Sequence, residues 1–150
     1  MRYYGYDEFI KDMKTLHGKL KNENIEGILL VLRGGATPAH FLAEALGIKN
    51  IYAVNILSYD GKKKICKPKI TNLPKIPESI VKVAIIDEIV DSGETMSSLM
   101  TLLCKKYPDK IFKSVTIFQR DNAKFYADIY AQSSDEWIEF FWERDLKDII

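Results

Sequence analysis

A chain of 150 residues with 47% hydrophobic residues is expected to form a single domain, residues 1–150, because it is long enough to bury about two-thirds of the surface that its unfolded chain exposes. The near balance of 22 basic and 21 acidic residues argues against a nucleic-acid partner, and the lack of a long apolar run or a secretion signal predicts a cytoplasmic protein without membrane insertion. Two isolated cysteines, Cys66 and Cys104, and two histidines, His17 and His40, argue against a disulfide framework, a zinc ribbon and a histidine-rich metal site.

The first third of the chain has the pattern of a helix, a strand and a second helix. Apolar residues recur at three- and four-residue spacing across residues 6–20, which predicts an amphipathic helix. Residues 28–32, Ile-Leu-Leu-Val-Leu, form an uninterrupted apolar run that suits a strand covered on both faces, as in a parallel sheet. The glycines that follow permit a tight turn. We expect Thr37 to cap a second helix, with Pro38 at its first position and Gly47 at its end.

Three further strands and one further helix complete the predicted pattern. The strand candidates are residues 51–57, 81–86 and 114–118, and residues 95–106 have the spacing of a helix. Residues 58–79 contain prolines and a lysine run, and we predict a long mobile loop there with little regular structure. Alternation of strands and helices predicts an α/β fold with a largely parallel sheet, in which ligands bind beyond the carboxyl ends of the strands.

The most informative segment runs from a buried strand into a helix and carries three acids. Residues 83–95 read Val-Ala-Ile-Ile-Asp-Glu-Ile-Val-Asp-Ser-Gly-Glu-Thr. The small residues of 92–95 allow a ligand to approach the backbone, and the helix start adds unpaired N–H groups, so this loop is a candidate monophosphate site. Asp87 and Glu88 are expected at the strand tip, where they can bind ribose hydroxyls directly or hold Mg²⁺ through water. A structural alternative is that Asp91 and the serine after it only cap the helix.

This string resembles the phosphoribosyl-pyrophosphate (PRPP) signature of type I phosphoribosyltransferases: hydrophobics, two acids, two hydrophobics, Asp, Thr or Ser, Gly, any residue and Thr. Residues 32–48 are similar to the pyrophosphate-binding loop and helix of the xanthine-guanine phosphoribosyltransferases, and residues 58–60 and 135–143 match that subgroup as well. The resemblance spans residues 31–143. It implies a mostly parallel five-stranded sheet flanked by helices, with a flexible loop and a small C-terminal hood that carries the base site.

The resemblance also implies a role for each matched residue of the PRPP site. Asp91 resembles the catalytic aspartate that lies against the purine ring and acts as general base or proton acceptor. Asp87 and Glu88 resemble the pair that contacts the ribose hydroxyls and Mg²⁺, with Glu88 in place of the aspartate often found there. Arg33 and Gly34 would present a side chain and a backbone N–H to the pyrophosphate, at a peptide that is often cis in the family. The loop that wraps the 5′-phosphate corresponds to Asp91, Ser92, Gly93, Glu94 and Thr95.

The base site and the flexible loop match the family less closely. By resemblance, Trp137 stacks on the purine and the Ile138 backbone reads its edge. Where the family places a lysine that donates to the 6-oxo group, this chain has Arg120, whose planar donor fork is not a simple equivalent. Alternatively, Arg120 faces solvent and Lys124 reads the base. Lys64 is an approximate counterpart of the basic residues that close over pyrophosphate, unless its lysine run is only a solvated charged surface.

The resemblance implies a purine salvage enzyme that transfers the 5-phosphoribosyl group from PRPP to guanine, xanthine or hypoxanthine, with Mg²⁺ as cofactor. The alternatives are an enzyme for another base, such as adenine or orotate, and a PRPP-sensing RNA-binding regulator. By resemblance, residues 137–138 and the following pair 142–143 favour a 6-oxopurine, and the balanced charge disfavours the regulator. Single contacts decide the ranking among 6-oxopurines, so the sequence leaves it open. The resemblance also implies a homo-oligomer, either a dimer or a tetramer.

Overall fold

The computed structural model describes residues 1–60 and 63–149, with the backbone alone for 58–60 and 63–66. Within these residues the strands are β1 (Arg2–Tyr4), β2 (Gly27–Leu32), β3 (Ile51–Asp60), β4 (Lys63–Thr71), β5 (Lys82–Val90), β6 (Ile111–Gln119), β7 (Ile129–Ser133) and β8 (Ile138–Phe140). The helices are α1 (Tyr6–Leu20), α2 (Ala36–Leu46), α3 (Glu94–Lys106) and the short α4 (Phe141–Arg144), followed by a 3-10 turn at Lys147–Ile149. The predicted α/β fold is confirmed. No helix among the described residues is long and apolar enough to cross a membrane.

The central sheet has six strands in the order β4-β3-β2-β5-β6-β7. All neighbouring strands are parallel except β3 and β4, which are antiparallel. The five parallel strands correspond to the expected five-stranded sheet, and β4 adds a sixth, antiparallel strand at its edge. The parallel neighbours β2 and β5 end at the same side of the sheet, which brings the segments that follow them together.

Residues 58–79 are more regular than their composition indicates. The prediction of a loop with little regular structure is wrong for residues 58–60, which belong to β3, and for residues 63–71, which form strand β4 against the end of β3, with Ile56 opposite Ile70. An edge strand tolerates Pro68, since a proline cannot donate to a neighbouring strand, and lysines are common on such edges. The physical reason for the error is that turn-forming and charged residues also characterise exposed edge strands.

The stretch after β4 is held against the end of α3. The Tyr107 hydroxyl donates to the carbonyl of Pro74 at 3.0 Å and accepts from the N–H of Ile76 at 2.9 Å. The Lys110 ammonium donates to the carbonyl of Pro77 at 2.7 Å. These bonds fix the return of the chain from the hairpin to β5.

A second, two-stranded sheet is built from both ends of the chain. Strands β1 and β8 pair in parallel, with Arg2 opposite Ile138 and Tyr4 opposite Phe140, and together with α4 they form the small hood. The hood therefore contains an N-terminal strand as well as the expected C-terminal residues. The rings of Phe140 and Phe118 lie edge-on to Tyr4, with centroids 5.7 and 4.9 Å away, and join the hood to β6.

Helices cover both faces of the central sheet. The first two helices pack on one face through fully buried side chains that include Phe9, Leu16 and Leu42. The third packs on the opposite face through Leu99 and Leu103. The alternation of side chains along β2 and β5 supplies both cores, which is why these strands read as continuous apolar runs. Burial on both faces makes the sheet a rigid support for the loops at its edge.

Two predicted boundaries shift in the structure. Helix α2 begins at Ala36, so Thr37 lies inside its first turn rather than at the cap, and Pro38 occupies the third helical position. Proline fits there because the first N–H groups of a helix lack intrahelical partners. Gly47 ends the helix as predicted, with a left-handed φ of +69°. Strand β5 continues to Val90, so the acid pair predicted at the strand tip lies within the strand.

Candidate active site

A cleft of about 250 Å³ opens where β2 and β5 end and α3 begins. Its walls are the turn between β2 and α2, the last residues of β5 and the loop between β5 and α3. Ligand sites of parallel sheets lie at this edge. Of the predicted site residues, the cleft brings together Arg33, Gly34, Asp87, Glu88, Asp91, Ser92, Gly93, Glu94 and Thr95.

The loop between β5 and α3 has the geometry of an anion site. Gly93 has a φ of +95°, and a Cβ at this position would lie 2.7 Å from the backbone nitrogen of Phe125, so only glycine fits. Helix α3, whose N-terminal dipole faces the cleft, follows directly. The Ser92 hydroxyl accepts the N–H of Glu94 at 3.3 Å, which gives partial support to the capping interpretation for this serine. Asp91 does not cap the helix, because its carboxylate binds elsewhere.

The acid pair is tightly coupled. The N–H of Glu88 donates to Asp87 Oδ1 at 2.9 Å. Burial raises the pKa of Asp87 well above its usual range, and the charge of Glu88 and a side-chain hydrogen bond with it act in the same direction. Burial and the neighbouring carboxylate therefore disfavour the charged form of Asp87, and a bound cation would favour it. Among the described residues, no group of three or more His, Cys, Asp or Glu could enclose a metal ion, so these two carboxylates are the metal-ligand candidates.

Two glycines let the β2–α2 turn pack against β5. A Cβ at Gly34 would lie 2.0 Å from Glu88 Cδ and 2.1 Å from both carboxylate oxygens, so the Glu88 carboxylate occupies the space beside this glycine. A Cβ at Gly35 would lie 2.3 Å from the carbonyl oxygen of Ile86. The peptide before Arg33 is cis, in the segment where the family resemblance implies one. The turn thereby places Arg33 in the same cleft as the acid pair.

The hood contributes an acid that the sequence reasoning did not single out. Glu143, in α4, lines a larger cavity of about 1100 Å³ between the hood and the ends of β2 and β3, together with Arg33, Glu88 and Trp137. Burial raises the pKa of Glu143, and the negative charge of Glu88 raises it further. In the sequence, Glu143 stands at the end of the 135–143 motif, in the pair 142–143 that favours a 6-oxopurine by resemblance. Its approach to Glu88 depends on how the hood docks.

Arg120 connects Asp91 to the segment that enters the hood. Its Nε donates to Asp91 Oδ1 at 2.8 Å, and its Nη1 donates to the carbonyls of Ser134, at 3.2 Å, and Glu136. The side chain is only 11% exposed, so the alternative in which it faces solvent is wrong. Lys124 has an exposed side chain, and its backbone N–H donates to the Ser92 carbonyl at 3.0 Å.

The predicted base-contacting residues lie on the hood. Trp137 is 66% exposed beside the larger cavity, whereas Ile138 is buried at the start of β8. The carbonyl of Trp137 accepts the backbone N–H of Arg2 at 2.8 Å. Lys64 lies in β4 opposite Tyr59, and its side chain falls outside the described residues.

A family model for the phosphoribosyl transferase domain matches residues 6–149. The chain belongs to the phosphoribosyl transferase domain family. This phosphoribosyltransferase is therefore a pentosyltransferase, and its signature loop is the 83–95 segment that lines the cleft.

Relatives of known structure and name agree with this assignment. A xanthine-guanine phosphoribosyltransferase from Gluconobacter oxydans is 28% identical over 143 residues, which cover 92% of this chain and 82% of that protein. The Helicobacter pylori xanthine-guanine-hypoxanthine phosphoribosyltransferase superposes with a TM-score of 0.88 at 35% identity, covering 99% of this chain and 95% of that one. A purine phosphoribosyltransferase from Pyrococcus horikoshii superposes with a TM-score of 0.81 at 25% identity, covering 94% and 92%. These likenesses confirm the type I phosphoribosyltransferase fold.

Proposed function

We propose that this phosphoribosyltransferase converts guanine, xanthine or hypoxanthine and PRPP into the nucleoside monophosphate and pyrophosphate. One observation carries the proposal: the 91–95 loop, the acid pair and Arg33 lie around one cleft, and the hood with Trp137 flanks that cleft. The names of the Gluconobacter and Helicobacter relatives support a 6-oxopurine as the acceptor.

Each part of PRPP has a matching group in the cleft. The 5′-phosphate would bind at residues 91–95, where the backbone N–H groups and the helix dipole favour an anion. The ribose hydroxyls would donate hydrogen bonds to the carboxylates of Asp87 and Glu88. The pyrophosphate would lie against Arg33 and the N–H of Gly34, since a guanidinium binds phosphate oxygens through paired N–H donors.

The transfer needs no covalent protein nucleophile. A purine ring nitrogen bonds to the anomeric carbon, the bond from that carbon to pyrophosphate breaks, and pyrophosphate leaves with the electron pair. Positive charge develops on the ribose, and the nearby carboxylates stabilise it. The purine proton goes to Asp91. Arg120 binds its Oδ1, and among the described residues Oδ2 has no hydrogen-bond partner, which suits it to receive that proton.

Mg²⁺ fits the acid pair as a cofactor. Mg²⁺ in enzymes is often bound by one or two carboxylates together with substrate phosphates rather than by a complete protein cage. Asp87 and Glu88 provide two neighbouring carboxyl groups; burial first, and then the charge of Glu88, raise the pKa of Asp87, and a bound cation opposes both effects. When bound, Mg²⁺ would neutralise the charge of the leaving pyrophosphate.

The base site combines stacking with edge recognition. Trp137 would stack on the purine, the backbone of Ile138 would read one edge, and the guanidinium of Arg120 would donate to the 6-oxo group. Its Nη2 is suited to this, because no described residue accepts a hydrogen bond from it. Adenine would present its own amino donors at this position and leave Nη2 without an acceptor.

The β3–β4 hairpin and the assembly state complete the proposal. The hairpin, including Lys64, would close over bound PRPP and exclude water, which prevents hydrolysis of the activated sugar. The enzyme would act in the cytoplasm as a homo-oligomer, a dimer or tetramer. Light scattering measures that state.

Initial rates with PRPP, Mg²⁺ and five bases test the function. We expect turnover of guanine, xanthine or hypoxanthine, and much slower turnover of adenine and orotate. Preference for adenine or orotate would replace the proposed acceptor. Inactivity with all five, together with salt-sensitive RNA retention in a filter-binding assay, would favour the PRPP-sensing regulator instead.

A further inference from the structure

Behind the hood, a hydrogen-bonded network joins β1 to α1 and β7. Its members are Arg2, Tyr4, Glu8, Asp12 and Gln132. The Tyr4 hydroxyl donates to Asp12 Oδ2 at 2.6 Å, and Gln132 Nε2 donates to the same oxygen at 2.7 Å. Tyr4 is fully buried and Asp12 is 7% exposed, so water cannot readily replace these bonds.

Arg2 links this network to the purine side of the hood. Its guanidinium donates to Gln132 Oε1 at 3.2 and 3.3 Å, pairs with Glu8, and lies 5.4 Å from the centroid of the Phe118 ring. Its backbone N–H donates to the Trp137 carbonyl at 2.8 Å. The side chain of Arg2 is thus bound to α1 and β7, while its backbone binds Trp137, in the segment proposed to contact the base.

The hood needs such support. Its sheet has two strands of three residues each, and an isolated pair of this size has little stability of its own. Its docking therefore depends on side-chain contacts such as the aromatic cluster around Tyr4 and the polar network. None of the five network residues lines either cavity described above. Any effect of the network on catalysis must act through hood position.

We propose that Asp12, through Tyr4 and Gln132, is a positioning residue for purine recognition, which holds β1 and thereby places Trp137 and Ile138. This inference rests on the proposed function, because it assigns the hood residues to the purine. Loss of the network should affect the two substrates differently. A displaced hood weakens purine binding, whereas the residues proposed to bind PRPP, at the end of β2, in β5 and in the 91–95 loop, stay in place.

Two substitutions at Asp12 separate hydrogen bonding from charge. In Asp12→Asn the amide oxygen can accept from both Tyr4 and Gln132, so we expect purine KM within about twofold of wild type. Asp12→Leu removes both bonds and leaves the buried Tyr4 hydroxyl without its acceptor, whereas Gln132 Nε2 keeps its bond to Glu8 at 3.2 Å. We expect purine KM to rise about tenfold. This is smaller than the loss on the order of 100-fold in rate that a displacement near 1 Å from a remote mutation can cause. The KM for PRPP and the kcat at saturating substrates should stay within about twofold.

Asp128→Ala is the matched control for a general loss of stability. Asp128 Oδ2 also accepts two hydrogen bonds, from the N–H and the hydroxyl of Ser114, at 2.9 and 3.0 Å, but it lies at the far end of β7 from the hood. We expect this variant to lose thermal stability without a change in purine KM. An equal rise in purine KM in both variants, or a parallel rise in the two substrate KM values of Asp12→Leu, would overturn the positioning role.

Two further measurements keep the outcome decisive. If Asp12→Leu does not fold, Tyr4→Phe retains the ring packing and loses one bond, and we expect a rise of about threefold in purine KM. No rise there would refute the proposal. If the wild-type protein is inactive with 6-oxopurines, the proposed function fails by itself. Hydrogen exchange across residues 134–140 then decides the network, because it should accelerate in the Asp12 variant and not in the Asp128 variant.

Discussion

Gly34→Ala tests whether the place of the Glu88 carboxylate matters for catalysis. The added Cβ would lie 2.1 Å from both carboxylate oxygens, whereas ordinary contact begins near 3.4 Å, so the carboxylate must retreat by more than 1 Å. The carboxylate is the free end of a flexible side chain and can move. Gly34 is not in the left-handed region, so alanine adds no backbone strain.

Two opposing terms keep the fold almost unchanged in this variant. Alanine at a compatible position stabilises by about 0.4–1 kcal/mol through the unfolded state. A displaced Glu88 side chain costs about 0.5–1.5 kcal/mol if it leaves a preferred rotamer. Activity should respond far more strongly. A shift of this size disrupts the pair with Asp87, and a misplacement near 1 Å costs on the order of 100-fold in rate.

Gly35→Ala provides the contrast. Its Cβ would lie 2.3 Å from the carbonyl oxygen of Ile86 and 2.6 Å from that of Val31, which belong to central strands and cannot yield. We expect a loss of about 3 kcal/mol in the free energy of unfolding. Urea unfolding and kcat/KM for PRPP at saturating purine and Mg²⁺ separate the two variants. Wild-type kcat/KM in Gly34→Ala, or a stability loss equal to that of Gly35→Ala, would refute the reasoning.

Three further outcomes are expected. Asp91→Asn should lower kcat by about two to four orders of magnitude, the range for a positioned general base, and leave the unfolding midpoint unchanged because the side chain is 62% exposed; kcat within a few-fold of wild type would remove Asp91 from the mechanism. Arg120→Ala should raise KM for all three 6-oxopurines and reduce the preference for them over adenine, which we expect to be about 10³ in kcat/KM for the wild type. Arg120→Lys should be less impaired, and Lys124→Ala is the matched control. An unchanged base preference in Arg120→Ala would contradict the assignment. Hydrogen exchange across residues 58–79 should slow when PRPP and Mg²⁺ bind, and equal protection with and without ligand would argue against a closing hairpin.

The parts of the fold that sequence predicts well are those encoded by neighbouring residues. The first helix is confirmed over 6–20, because its apolar spacing is a local property. The 83–95 segment likewise holds its strand, acids, glycine turn and helix start in one continuous string, so its place in the cleft could be predicted. The error in the 58–79 segment arose where local composition suits both a loop and an edge strand.

Only the tertiary structure decided which distant residues meet. The sequence identified Asp91 and Arg120 separately, but their ion pair joins positions 29 residues apart. A three-residue N-terminal strand is too short to show periodicity, and its pairing with β8 depends on how both chain ends dock on the aromatic cluster. The sequence by itself determined the glycine turn before α3 and the place of the acid pair in β5, because backbone turns and strand continuity are local. The position of Glu143 and of the hood required packing across the whole chain, since burial and register select those contacts and no short pattern encodes them.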